Sequence, residues 1–447
     1  MKFFKVLCVL CVLCVGAFGL DRTAFTFLKY NLEVRIDPAG QALAARGKIV
    51  LRNDSAAPQS ELAMQVSSSL EWRLVNINGK DVQYSTDEYV SDIDHTGKLS
   101  EVIVQLPAPV APSATVELDV GYSGEITRDA TRLTSIGVPA GTAGHTDWDR
   151  IGEPVTAIRG IGYVVWYPVA LNAAHVAEPD YFSVLQGWKD RERSSSMNVA
   201  LCWISDEHQL TVFSNGDFLG LNRNLLGGTE DTATHAGCSQ YSFSNLGWTI
   251  PTFAIGEYTT LSRPVIDVYY LADQASFAQE YALSAEKVLP LDTQWFGAPK
   301  QKVDILQLPD PGDAAYESGT MLIAPFATID KKALDARMMH QLVHASMWSP
   351  RPWIEEGLAH FGTALLAAQQ GRASAIDYMD QFLPALQEAE KNGASASAQS
   401  GASSSSKPAV AAATTDAERS LINSPDEIMF RIKGMFVWWM LRDMVGD

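Results

Sequence analysis

The stretch His340-Gln341-Leu342-Val343-His344, followed by Trp353-Ile354-Glu355-Glu356-Gly357-Leu358-Ala359, decides how the rest of this chain is read. Two histidines four residues apart on a helix point the same way, because four residues carry the helix slightly past one turn. Their imidazoles then converge, and a carboxylate from a following helix supplies a third ligand for one Zn²⁺. Two His and one Glu leave the fourth position open, as catalytic zinc requires. The usual form of the motif is H-E-x-x-H, with the glutamate as general base. Here Gln341 stands in that place, and an amide does not take a proton from water at neutral pH. The same five residues announce a zinc site and put its hydrolytic step in question. The spacing taken alone also fits a histidine-bearing core helix.

The flanks say where the helices begin and end. Asp330 is placed to cap a helix running through His344, and Ser349-Pro350 with Pro352 closes it and opens the next. That second helix carries Glu356 and runs to about Gln370, with Gly371 as its stop. Upstream, Val265 to Tyr270 reads as a buried strand, Ala275 to Trp295 as a helix, and Lys302 to Gln307 as another strand. Residues 391–415 are rich in Ala, Ser and Gly, and predict a flexible insertion with too little apolar surface to order itself. Ile428 to Met444, with Trp438 and Trp439, predicts a final helix packed on the core. It is shorter than the roughly 20 apolar residues of a membrane span.

Before Pro264 the pattern is β. Gly47 to Asn53, Glu101 to Leu106 and Ala114 to Gly124 alternate, and Tyr163 to Tyr167, Ser196 to Ile204 and Gln209 to Ser214 add further runs. The expected architecture is α+β. An antiparallel β sandwich or saddle spans residues 20–263, and a mixed helical and stranded domain spans 264–447.

Residues 1–19 read as a secretory signal, with Lys2 and Lys5, an apolar run from Val6 to Val15, and Ala17-Phe18-Gly19 as the cleavage site. Export to the periplasm or outside the cell follows from that reading. Cys8, Cys11 and Cys14 leave with the leader, so Cys202 and Cys238 remain as a candidate disulfide or as two buried thiols. The net charge of −18 becomes −20 without the leader lysines, which argues against nucleic acid or an anionic membrane as partner.

With these elements in place, the chain resembles the membrane alanyl aminopeptidase family of gluzincin zinc metallopeptidases. Trp353 to Ala359 resembles the family's W-L-x-E-G-x-A element, and Ala314-Ala315-Tyr316-Glu317-Ser318-Gly319 resembles its G-A-M-E-N motif. Gly121-Tyr122-Ser123-Gly124, Trp166-Tyr167-Pro168 and Phe253 to Tyr258 follow the order of the family's first domain. Lys433-Gly434 with Met440-Leu441-Arg442 is similar to its K-G-x-x-x-x-x-x-L-R helix. The resemblance implies a thermolysin-like catalytic domain with one zinc on His340, His344 and Glu356. It also implies that Glu317 anchors the α-amine of peptide or protein N-termini.

The departures are as specific as the matches. Gln341 replaces the base, and Phe430 or Arg431 stands near the place of the family's catalytic tyrosine. The spacer from His344 to Glu356 is short, and the family's helical C-terminal domain is missing, so the catalytic domain reads as truncated. Losing a general base typically costs about 10² to 10⁴ in rate.

Two readings follow. One is an exported zinc metallopeptidase of the aminopeptidase type, and the other a catalytically inactive pseudopeptidase that binds peptides or a partner. Loss of zinc, with a purely structural helix pair, is a third. His360 is read as a helix-surface residue or as a partner orienting Glu356. Met338, Met339 and Met347 are expected in the core. His95, His145, His175, His208 and His235 show no ligand spacing.

Overall fold

The computed structural model describes residues 20–178, 180–205, 210–222, 235–326, 330–390, 421 and 426–446. The expected leader at 1–19, the expected insertion at 391–415 and His208 lie outside the described residues.

The first half is built on an eight-stranded sheet. Phe25–Asp37 lies inside it, hydrogen-bonded to Ala42–Asn53 on one side and Ser196–Ser205 on the other. Along Phe25–Asp37 buried and exposed residues largely alternate, the signature of a strand with one face in the core. A three-stranded sheet of Gln59–Ser67, Lys98–Val110 and Tyr84–Val90 shares that core, so Leu62, Met64 and Val66 belong to the same buried cluster as Leu32, Val34 and Ile36. Each such buried aliphatic side chain contributes about 1.5–3 kcal/mol relative to an exposed one.

Two expectations for this half need correction. The pairing of Phe25–Asp37 with Ser196–Ser205 is parallel, so the sheet is mixed rather than purely antiparallel. Tyr163 to Tyr167 is not a strand: it threads the core as irregular backbone. Its peptide groups find partners elsewhere, Val165 N–H donating to Asp94 Oδ1 at 2.8 Å and Ser67 N–H donating to the Val165 carbonyl at 2.7 Å. A short all-apolar run fits any fully enclosed segment equally well.

The short helices α1 (Thr131–Ser135), α2 (Ala140–Thr146) and α3 (Asp180–Arg191) flank this half. The second half carries a five-stranded sheet in the order Thr259–Ser262, Ile266–Tyr270, Val303–Leu308, Met321–Pro325, Tyr316–Ser318. Its three central strands are parallel, and only the edge strands run antiparallel. The edge strand Thr259–Ser262 comes from before Pro264 and pairs with Ile266–Tyr270. Helix α4 (Ala275–Phe296) crosses between the first two parallel strands, as parallel pairing requires.

Helices α5 (Lys331–Ser346), α6 (Pro352–Ala368) and α7 (Arg372–Asp380) follow. Asp330 caps α5 by accepting from the Lys332 and Ala333 N–H groups, and Pro352 opens α6. The terminal helix departs from expectation in its first turns. Ile428–Lys433 is π-helical and passes into the α-helix α8 (Gly434–Val445). Among the described residues, no helix is long and apolar enough to cross a membrane.

A small cluster joins the halves, with Trp148, Phe213 and Tyr258 packed on Leu306, Leu308, Met321 and Ile323. Trp148 Nε1 donates to the Ala314 carbonyl at 2.8 Å, which fixes the loop leading into Tyr316–Ser318.

Candidate metal site

Helix α5 turns its apolar face, including Met338, Met339, Leu342 and Val343, into the second core. Met347 packs against that core only partly buried. Helix α6 crosses α5 closely at Gly362, where a Cβ would lie 2.7 Å from Val343 Cγ2. The other face of α5 presents both histidines toward the N-terminal turns of α6. His340 Nε2 and His344 Nε2 are 3.2 Å apart. Glu356 Oε1 is 3.8 Å from His344 Nε2, and Glu356 Oε2 is 3.9 Å from His340 Nε2. The ligand atoms of the three residues all lie within 4.8 Å of one another. A tetrahedral ion with ligands at about 2.0–2.1 Å has edges of about 3.3 Å, so the set needs only slight contraction around zinc. The other ring nitrogen of His344, Nδ1, lacks a hydrogen bond and faces Glu355 Oε1 at 3.8 Å.

Glu317 approaches from the edge strand Tyr316–Ser318, with Oε1 3.5 Å from His340 Nε2. The Gln341 side chain is completely buried, and its Nε2 donates to Glu317 Oε2 at 3.0 Å, while its Oε1 has no partner. Arg431 comes from the π-helical segment. Its Nε is 3.3 Å from Glu356 Oε2, its Nη2 3.5 Å from Glu317 Oε1, and its Nη1 3.8 Å from Glu427 Oε2.

These contacts set the charges. Burial pushes the Glu317 carboxyl up, but His340 and then Arg431 outweigh it and hold the group well below the usual carboxylate range. Burial disfavours the His340 imidazolium, yet Glu317 and Glu356 leave its pKa raised. For His344, burial dominates and the pKa falls. Burial, with the neighbouring Glu356 charge, pushes Glu355 up to about 8. Burial, with His340, pushes His360 down to about 3.

The structure thus brings together His340, His344, Glu356, Glu317 and Gln341. His360 is half-buried rather than an exposed residue of the helix surface. Its ring packs edge-on against His340 with centroids 4.9 Å apart, and both of its nitrogens are buried without partners. Phe430 and Arg431 both line the cleft. The three-way contact of Arg431 was not legible from spacing, because it depends on the π-helical register. A second group, His145 with Asp310 and Asp313, is also close enough to hold a cation. Arg128 already occupies it, with Nη2 3.0 Å from Asp313 Oδ2. The cleft over the main site measures about 960 Å³, and residues of both halves line it, including Tyr163, Lys189 and Trp248 together with Glu317, Glu355 and Arg431.

No protein-family profile matches the chain, and no curated protein sequence matches it. Solved structures do. An M1 zinc metallopeptidase from Deinococcus radiodurans aligns with a TM-score of 0.56 at 14% identity, over 96% of this chain and 85% of that one. A mutant of the same protein bound to a Tyr-Ser-Ala substrate aligns with a TM-score of 0.52 at 13% identity, with the same coverage. Identity this low speaks for architecture alone. The chain is similar in fold to an M1 zinc metallopeptidase over nearly its whole length.

Proposed function

We propose that the cleft is a zinc-dependent site for peptide N-termini, of the aminopeptidase type, in which His340, His344 and Glu356 hold the ion. The observation that carries this reading is the convergence of those three donor groups, beside an acidic anchor, in a cleft open to solvent. When bound, zinc would polarise water and the scissile carbonyl. Glu317 would receive the peptide's α-ammonium through a charge-assisted hydrogen bond. Gln341 would hold Glu317 in place rather than accept a proton, and hydrolysis would be slower by about 10² to 10⁴ than with a carboxylate there.

The reading keeps the division into 20–263 and 264–447, with a gluzincin-like second part. It also keeps export after removal of residues 1–19, so the protein would act in the periplasm or beyond. The bond between Cys202 and Cys238, opposite each other on paired strands, supports an oxidising compartment.

A second reading has a specific observation in its favour. The Gln341 amide is locked to Glu317, and Phe430 brings no hydroxyl, so a pseudopeptidase that binds N-termini without cutting them fits the same cleft. Purified protein assayed with aminoacyl-amide reporters and zinc separates the two. Chelator-sensitive turnover by the unmodified chain supports the enzyme. Turnover that arises only after Gln341→Glu supports the binder on an intact scaffold.

A further inference from the structure

We propose that Arg431 is a positioning residue whose single guanidinium clamps the candidate metal ligand Glu356 and the candidate amine anchor Glu317; this rests on the metal reading above. Three observations carry it. The Nε and Nη2 atoms, which share one edge of the guanidinium plane, face Glu356 Oε2 at 3.3 Å and Glu317 Oε1 at 3.5 Å. These are ion-pair contacts: Arg431 Nε and Glu356 Oε2 are both buried with no hydrogen-bond partner, and a flat guanidinium can face two carboxylates at once where an ammonium is a point charge. The third nitrogen, Nη1, faces Glu427 at 3.8 Å from the same helix, which steadies the side chain from behind. Finally, Arg431 sits within the π-helical stretch Ile428–Lys433, a geometry that is rare and frequent at functional sites.

The clamp divides the work of Glu356 between its two oxygens. Oε2 faces Arg431 Nε at 3.3 Å and His340 Nε2 at 3.9 Å, and Oε1 is turned toward His344. Carboxylate ligands are commonly steadied by such outer contacts, whose loss weakens metal binding. Glu317 has the opposite fate. An arriving α-ammonium would take over its Oε1 from the guanidinium, while Gln341 keeps Oε2.

Simple charge repulsion makes the contrary forecast, since deleting a cation beside a divalent ion should tighten its binding. Zinc affinity of the full mature chain, measured by competition with a chromophoric chelator, therefore decides between them. Positioning predicts that Arg431→Ala binds zinc about 10- to 100-fold more weakly. Arg431→Lys, which keeps the charge without the fork, should also weaken it. This second variant carries the test if the alanine variant misfolds by circular dichroism. Unchanged or tighter zinc binding in these variants, with the wild type binding normally, overturns the clamp alone. A wild-type chain that takes up no zinc overturns the metal reading, and the clamp with it.

Discussion

On the proposed reading Gln341 stands where a general base would, and its side-chain nitrogen is committed to Glu317 while its oxygen has no hydrogen-bond partner. A carboxylate substituted there would accept a proton from water, at the cost of facing the Glu317 charge. Gln341→Glu is accordingly expected to raise aminoacyl-amide hydrolysis by about 10² to 10⁴. Steady-state kinetics with zinc present would check this, and a variant that binds zinc but gains nothing would contradict it. Glu317→Gln keeps the size of the side chain and removes its charge. It should weaken binding of peptides with free N-termini while leaving N-acetylated ones unaffected, as titration calorimetry with both peptides would reveal. At this scale the convergence of His340, His344 and Glu356 was legible, because i and i+4 on a helix fix the direction of the two histidines and the likeness of Trp353 to Ala359 to the W-L-x-E-G-x-A element singled out Glu356. His360 was not. Its sequence position on α6 places it one turn beyond Glu356, but only packing against His340 and Phe382 decides that it is enclosed.

Helix contacts set the spacing between those residues. Gly357 and Gly434 let α6 meet the start of α8 backbone to backbone: a Cβ on Gly434 would lie 2.9 Å from the Trp353 carbonyl, and one on Gly357 3.1 Å from Gly434 Cα. The indoles of Trp353 and Trp438 stack beside this crossing, with centroids 5.5 Å apart. Replacing Gly362, which faces Val343, by Val should destabilise the protein by about 1–3 kcal/mol, because the neighbouring helix has no room to yield. A urea midpoint lowered at constant slope would verify this, and an unchanged midpoint would refute the tight crossing. Helix ends were readable from Asp330, Pro352 and Gly371, residues whose chemistry acts locally. The π-helical stretch was not, since Ile428 to Met444 shows an apolar run whose period does not separate i→i+5 from i→i+4 bonding. Tyr163 to Tyr167 failed for a related reason, its burial arising from every side rather than from one face of a sheet.

Across the whole molecule, long-range pairing was the least legible feature. The parallel partner of Phe25–Asp37 arrives only at Ser196–Ser205, and no local signal announces which strand will return beside the first. Charge is carried across the same junction. Glu192, just past the end of α3, accepts from the Phe27 N–H at 3.2 Å and from Ser195 Oγ at 2.6 Å, and burial pushes its pKa up from 4.5 to about 7. A carboxyl with a raised native pKa keeps its proton longer in the folded chain. Its contribution is complete below about pH 4.5 and is lost as pH rises through about 7. Stability should fall across that window by at most roughly 3 kcal/mol from this group. Glu192→Gln should flatten the fall, and denaturant unfolding at pH 5 and pH 8 would test it. An identical pH slope in the variant would show that Glu192 does not titrate there. The seam around Trp148 and Ala314 links this half to the loop that carries Glu317, so both halves take part in shaping the cleft.

The convergence of two imidazoles and one carboxylate on a metal is tested most directly by the metal content of natively purified protein, read by mass spectrometry for the wild type and for His340→Ala with His344→Ala. The account predicts one zinc per wild-type chain and none in the double variant. A metal-free wild type, or equal zinc in both, would contradict it.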